Sequence, residues 1–445
     1  MGNDVSRETG NGKRETDGRT GNPGSRFVCY HHPMRSNRAR FLFVVGSIAA
    51  LLSIRAVSNP GGRDSATRSL SIFSDIFSLT RSNYVEATDS RALLEGAYDG
   101  MADALDPFSY YVPAAERAAF RAQQASGALN PGIVVARRGG FPYVVAPMPG
   151  SPAEKAGVKP GDLIDTVDGK PVRNASLWKV KAALEGPEGT RVELLVFRGG
   201  DERRVTLKIP RSRFESAPVS TRFDRDVAIV KVPAFRRDTA ALLRQAIEQA
   251  RAKSAQSLVV DVRGSIGGDI ADAAPSATLF TGPGTIAKTI SRKMALPPLE
   301  AAGEKLWTGR TVVLMDEATG GPAEVFAAAL HDRAQAITVG ENTVGMAIVQ
   351  RQVMTEAGGT LSMTVARYVS PSGTPLAGKG LAPDDRVVVF PALSAAPPNG
   401  RAPSKTRPPQ VFVPDDAGFA KPDDDPILQR GLEIARGAIP GRRAA

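Results

Sequence analysis

Residues 312–350 read VVLMDEATGGPAEVFAAALHDRAQAITVGENTVGMAIVQ. The apolar run 312–315 predicts a buried strand, and the small residues of 317–322 predict a tight turn. Val325, Phe326, Ala329 and Leu330 then share one helical face. Residues 336–339 predict the next strand, and a glycine-bearing loop runs on to Gln350. A small-residue turn between a strand and a helix is a natural seat for a nucleophile and its oxyanion donors.

A similar pattern lies upstream. Residues 227–232 alternate as a strand; Leu242, Leu243, Ala246, Ile247 and Ala250 make one helical face; 258–262 is an apolar strand. Strand, helix, strand implies a right-handed parallel unit, so this core is α/β. The second strand runs into RGSIGGD, residues 263–269. A glycine-rich turn there can cradle phosphate, but the spacing is not G-x-G-x-x-G and no G-K-[ST] sequence occurs. Nucleotide chemistry is the weaker reading.

These segments resemble the carboxy-terminal processing proteases, also called tail-specific proteases. In that family the strand–turn–helix carries Ser-Ala-Ser-Ala-Ser-Glu, whose middle serine is the nucleophile, and a lysine in a Phe-Gly-Lys-Gly loop is the general base. Both patterns lie on this chain with no gap between them, anchored by Glu324, Ala329, Leu330, Asp332, Gly340, Glu341, Thr343, Gly345 and the retained Gln350. The resemblance places the nucleophile position at Gly321 and the base position at Met346, and neither has a group for the task. It implies oxyanion donors at Gly267 and at the residue after the nucleophile. That residue is Pro322, which has no N–H, so this donor is lost. Ser265 and Ile266 stand where the family has Asn-Pro, while Gly264, Gly267 and Gly268 are kept. Thr319 has no positioned base and reads as a turn hydroxyl. Residues 358–384, close to family wording, predict two strands and a turn; Lys379 there matches a lysine of the closing loop, not the base.

Residues 126–211 resemble a PDZ domain of the circularly permuted bacterial kind, β-rich with two helices. The pattern includes PMPGSPAEKAGVKPGDLIDTVDGKPV, residues 147–172. Its local signals are a short helix over 153–156 ended by Gly157, a strand over 163–167, a hairpin turn at Asp168-Gly169, a helix over 177–184 and a strand over 192–197. PDZ domains bind peptide carboxy termini: a glycine-rich loop offers N–H groups to the carboxylate while the peptide adds a strand. The peptide-binding positions are then Asn130, Gly132 and Ile133. Pro131 has no N–H, which weakens carboxylate capture, although Gly132 and Ile133 keep their donors. The fold alone leaves open a domain that only packs against its neighbour.

Residues 66–125 predict a helical segment. Leu70, Phe73, Ile76, Phe77 and Thr80 recur at helical spacing, as do Leu93, Leu94, Ala97, Met101 and Leu105, before Asp106-Pro107 breaks the pattern. Tyr84-Val85 and LDPFSYYVP, residues 105–113, resemble the same protease family. Further upstream, residues 1–33 are polar and predict a disordered tail, or a start set too early given Met34. Residues 34–58 predict a signal peptide or signal anchor: Arg35, Arg38 and Arg40 precede the uncharged run 41–54. At about 14 residues that run spans about 21 Å, short of a hydrocarbon core of about 30 Å. The core is predicted over 212–390, and residues 391–445 predict a Pro-, Ala- and Asp-rich tail with a short amphipathic helix near its end.

The chain has 445 residues, is 42% hydrophobic and carries a net charge of +11. Residues 1–60 hold 9 basic and 4 acidic side chains, so the remainder has only a modest excess. No basic stripe with interleaved aromatics argues for nucleic acid. Cys29 is the only cysteine, and His331 the only histidine beyond residue 60. The folded part therefore has no disulfide, no thiol nucleophile and no multi-histidine metal site. No cofactor and no metal are expected. The leading expectation is an exported family member that has lost catalysis and binds or scaffolds unfolded or carboxy-terminal peptides of envelope proteins, with a partner protease as a further partner. The alternative is an active serine-type endopeptidase of the cell envelope.

Overall fold

The structure, a computed structural model, describes residues 63–198, 203–387 and 425–440. The expected tail 1–33, the signal segment 34–58 and most of the 391–445 tail lie outside these residues. The chain divides into two units, Met1–Thr88 and Asp89–Ala445. In the first, helix α1 (Arg63–Asn83) exposes Leu70, Phe73, Ile76 and Leu79. Among the described residues no helix is long and apolar enough to cross a membrane.

The second unit continues the helical segment expected over 66–125 and adds a short strand after the break at Asp106-Pro107. Helix α2 (Ser90–Asp103) is followed by a strand, β1 (Tyr110–Val112), and then by helix α3 (Arg117–Ala125). β1 pairs antiparallel with residues 360–362 of the core. Three residues are too few to show a period, so a strand made by a distant partner leaves no local signal. Of the apolar stripe read here, Leu93, Leu94 and Ala97 are half-buried, while Met101 and, beyond the helix end, Leu105 are 59% exposed. α2 buries Ala102 and also makes the edge-to-face contact of Tyr98 with Tyr111, and its Asp99 and Asp103 both bind the buried guanidinium of Arg137.

The PDZ domain is a sheet in the order β2 (Ile133–Arg138), β3 (Phe141–Pro147), β4 (Leu163–Val167), β6 (Arg191–Arg198) and β7 (Arg203–Pro210), with the short β5 (Lys170–Pro171) beside β4. Asp168 and Gly169 both have positive φ, as a two-residue hairpin turn requires. Helices α4 (Pro152–Lys155) and α5 (Leu177–Leu184) accompany the sheet. Ile133, Val135, Leu177, Val180 and Leu184 share its apolar core, and Tyr110 and Phe120 join that core from outside the domain.

The α/β core is built on a sheet in the order β19 (Asp385–Arg386), β16 (Ile337–Gly340), β15 (Arg310–Met315), β11 (Ser257–Asp261), β9 (Val227–Lys231) and β8 (Ser220–Asp224). All its neighbours are parallel except the β8–β9 hairpin. One face packs Ala228, Val230, Val260 and Val313 against α6 (Thr239–Ala252), α7 (Ile270–Thr281) and α8 (Pro322–Ala334). The other packs Val227, Ile229, Val259, Val312 and Leu314 against α9 (Pro426–Ala435). Burial on both faces explains the unbroken apolar runs of these strands. It also moves α9 out of the expected tail and into the core. A second sheet holds β1, β18 (Thr360–Val369), β13 (Gly284–Ser291) and β14 (Leu299–Ala301), with β17 (Ile348–Met354) beside β18. Within 358–384 there is therefore one long strand, whose hairpin partner precedes it.

Candidate active site

β15 ends at Met315 and α8 begins at Pro322; the turn between them holds the expected nucleophile position. Its first half is a closed network. Asp316 Oδ1 accepts from the N–H groups of Gly264 and Ala318 and lies 2.8 Å from Thr319 Oγ1. The Thr319 hydroxyl accepts from the Asp316 N–H and also sits 3.1 Å from the Val262 carbonyl. Thr319 is fully buried. It is a turn hydroxyl with no approach for a substrate. The Gly320 N–H donates to the Ser265 carbonyl at 2.9 Å, tying this turn to the glycine-rich turn after β11.

Gly321 has φ +60° and ψ −113°, a conformation close to glycine-only. A Cβ built there meets nothing within 4 Å. The site thus keeps space for a side chain on a strained elbow, and the sequence supplies none. Pro322 is buried at the first helical position, where its missing N–H suits the helix and leaves the expected oxyanion position without a donor.

Glu324, fully buried one turn into α8, assembles the rest. Its Oε2 accepts from the Gly321 N–H at 2.9 Å and from the Met346 N–H at 2.8 Å. Its Oε1 accepts from the Thr343 hydroxyl and the Gly345 N–H. One oxygen thus holds the backbones at the expected nucleophile and base positions, and the two nitrogens cannot be farther apart than those two bonds laid end to end. Burial pushes the Glu324 pKa up, and the four donors oppose that shift. Met346 is half-buried and packs with Phe108, Ala136, Val145, Ile266 and Ala318. An apolar thioether suits that pocket as no ammonium would.

Gly267 pairs with Ala234 in the short parallel ladder of β10 (Ala234–Phe235) and β12 (Gly267–Gly268). At Gly268 any Cβ would overlap the Phe235 carbonyl oxygen, so only glycine fits. A Cβ at Gly267 would touch Met148, a PDZ residue. Val134, Tyr143 and Met148 of the PDZ domain pack in the same cluster as Ile266, Ala318, Val344 and Met346. These PDZ contacts were not readable in the sequence, where the residues carry ordinary strand patterning. The Gln350 side-chain amide donates at 3.0 Å to the carbonyl of Phe108, whose side chain packs in the same cluster as Met346. Among the described residues no group of three or more His, Cys, Asp or Glu side chains is placed to hold a metal.

The peptide-binding positions lie together at the start of β2. Asn130 Oδ1 accepts from both the Gly132 and the Ile133 N–H, each at 2.8 Å. The two donors expected to await a ligand are therefore engaged by a residue of their own loop.

Comparison with known proteins agrees with this layout. Residues 226–387 match the model of peptidase family S41, 143–198 that of a PDZ domain, and 52–115 that of the activating protease CtpB N-terminal domain. The chain is 30% identical over 353 residues to the carboxy-terminal processing protease CtpA of Bacillus subtilis (strain 168), covering 77% of this chain and 75% of that one. It is 28% identical over 345 residues to a probable CtpA-like serine protease of Staphylococcus aureus (strain N315), covering 77% and 69%. Among solved structures, the photosystem II D1 C-terminal processing protease superposes with a TM-score of 0.58 at 28% identity, over 69% of this chain and 86% of that chain.

Proposed function

The chain belongs to the carboxy-terminal processing protease family, with a PDZ domain, and from that premise we propose that it binds peptides without hydrolysing them. The observation that carries this reading is the Glu324 carboxylate. It binds the N–H groups of Gly321 and Met346 with one oxygen, and these are the residues expected at the nucleophile and base positions. The family route needs a nucleophile, a base able to take its proton, and donors aimed at the developing oxyanion. Here the first two are absent and Pro322 removes one donor, a loss worth roughly 2.7–4 kcal/mol of barrier by itself. Thr319 offers no substitute, because it is buried and committed to the turn.

What remains is a frame for holding chain: a PDZ domain packed over the site, and an α/β core of the processing-protease fold. The proposed ligands are unfolded or carboxy-terminal peptides of envelope proteins, with a partner protease as a further candidate. Incubation of the purified chain with casein and with tagged peptides should yield no cleavage, with or without candidate partners supplied in a catalytically dead form. Cleavage by the chain alone, retained in Thr319→Ala, would mean the active site lies elsewhere.

Export is proposed from the basic flank and the short apolar run before residue 55. A reporter that works only outside the cytoplasm, fused after residue 65, should be active. An inactive reporter from a stable fusion would count against export.

A further inference from the structure

We propose that Asn130 is an internal occupant of the carboxylate-binding loop, and that it sets how far this PDZ domain distinguishes a free peptide carboxy terminus from a blocked one. The inference rests on the peptide-binding reading above and deepens it. A PDZ loop captures a carboxylate with a short run of backbone N–H groups ahead of the strand that pairs with the peptide. In this chain that run is Pro131, Gly132 and Ile133. Pro131 has no N–H, and the other two both donate to Asn130 Oδ1 at 2.8 Å. Every donor the run possesses is spent on one amide oxygen, which lies where a ligand oxygen would.

The backbone of the loop is held from its other side, so adjustment falls to the Asn130 side chain. The Pro131 carbonyl accepts from the Ala153 N–H at 3.0 Å, and the Gly132 carbonyl from the Met148 N–H at 2.7 Å. Gly132 has φ +88°, and a Cβ there would collide with Ser151. The far end of the same strand is also engaged. β2 is the edge of its sheet, and its Arg137 N–H donates to the Pro107 carbonyl at 2.9 Å. The Arg137 side chain meanwhile binds Asp99, Asp103 and the Ala175 carbonyl. A peptide entering this edge meets a strand already satisfied at both ends by its own chain.

The chemistry of the occupant fixes the consequence. A carboxylate is a stronger acceptor than a neutral amide oxygen, but it must first break two bonds to Asn130. A carboxy-terminal amide brings only the group Asn130 already provides, and gains nothing at the loop. Because Asn130 is tethered to the loop, its two bonds outlast those of a separate ligand amide, so part of the carboxylate's advantage is lost in displacing it and the difference between the two ligands shrinks.

The test measures fluorescence anisotropy of a labelled decapeptide with an apolar last residue, as free acid and as carboxy-terminal amide, on the purified full chain. The unmodified chain should bind both within about threefold of each other, and Asn130→Ala should bind the acid about 10-fold more tightly and the amide no more than about threefold more tightly. Asn130→Asp keeps the turn and its acceptor but adds a charge; it should lose the acid and retain the amide. Equal acid-to-amide ratios in the unmodified chain and Asn130→Ala, or weaker acid binding by that variant, overturn the proposal. Amide binding that persists in those cases leaves the peptide-binding reading standing. Absence of binding of either peptide by all three proteins removes both.

Discussion

A serine at position 321 would enter open space but inherit a backbone that resists it. Nothing lies within 4 Å of a Cβ built on Gly321, yet its φ of +60° with ψ of −113° costs an L-residue about 1–3 kcal/mol. Gly321→Ser should therefore lower stability by that amount in urea denaturation and restore no activity, because an unactivated hydroxyl is a poor nucleophile. Met346→Lys would place an amine among Phe108, Ile266 and Ala318, where burial favours its neutral form. Groups that act as a unit repair non-additively. Only Gly321→Ser, Pro322→Ala and Met346→Lys together should give measurable cleavage of a fluorogenic peptide. Equal activity from the single serine substitution would mean that another group in the site already serves as base.

Helix α9 shows how a distant element reaches the site turns. Asp425 caps it by accepting from the Leu428 N–H at 2.9 Å, and the same side chain pairs with Arg263, the first residue of the glycine-rich turn. Arg263 also binds Asp261 at 2.7 Å, and all three side chains are largely buried. Burial alone would lower the Arg263 pKa, but the two carboxylates raise it well above its ordinary value and keep it charged. Asp425→Ala removes a cap and one partner of a buried cation, and should cost about 3 kcal/mol in urea denaturation. A loss under about 1 kcal/mol would show that α9 is held by apolar contact alone. For Asp261, burial raises the pKa and Arg263 outweighs it, so the folded value lies below the ordinary 3.8. Its contribution is then fully present above that ordinary value and fades as pH falls through the depressed one, so Arg263→Met should be less stable than the unmodified chain in urea at neutral pH, by a margin that narrows as pH falls below 3.8.

Across the whole chain, the local sequence determined what depends on period and on what a residue lacks. The apolar runs of the parallel strands, the helical faces of α6 and α8, and the PDZ turn at Asp168-Gly169 were legible because burial and φ preferences repeat at short range. So was the absence of a nucleophile at 321, of an amine at 346 and of an N–H at 322, since no tertiary contact can supply an atom the side chain does not have. Tertiary structure alone decided which groups meet. β1 exists because residues 360–362 offer it a ladder, not because Tyr110–Val112 announces a strand. α9 belongs to the core because the second face of the sheet needs cover. Glu324 joins positions 321 and 346, Met148 reaches Gly267, and Asn130 turns its amide oxygen onto the loop it was expected to leave open. Each is a pairing of polar or apolar groups by distance and direction, and those are properties of the folded chain that no local pattern encodes.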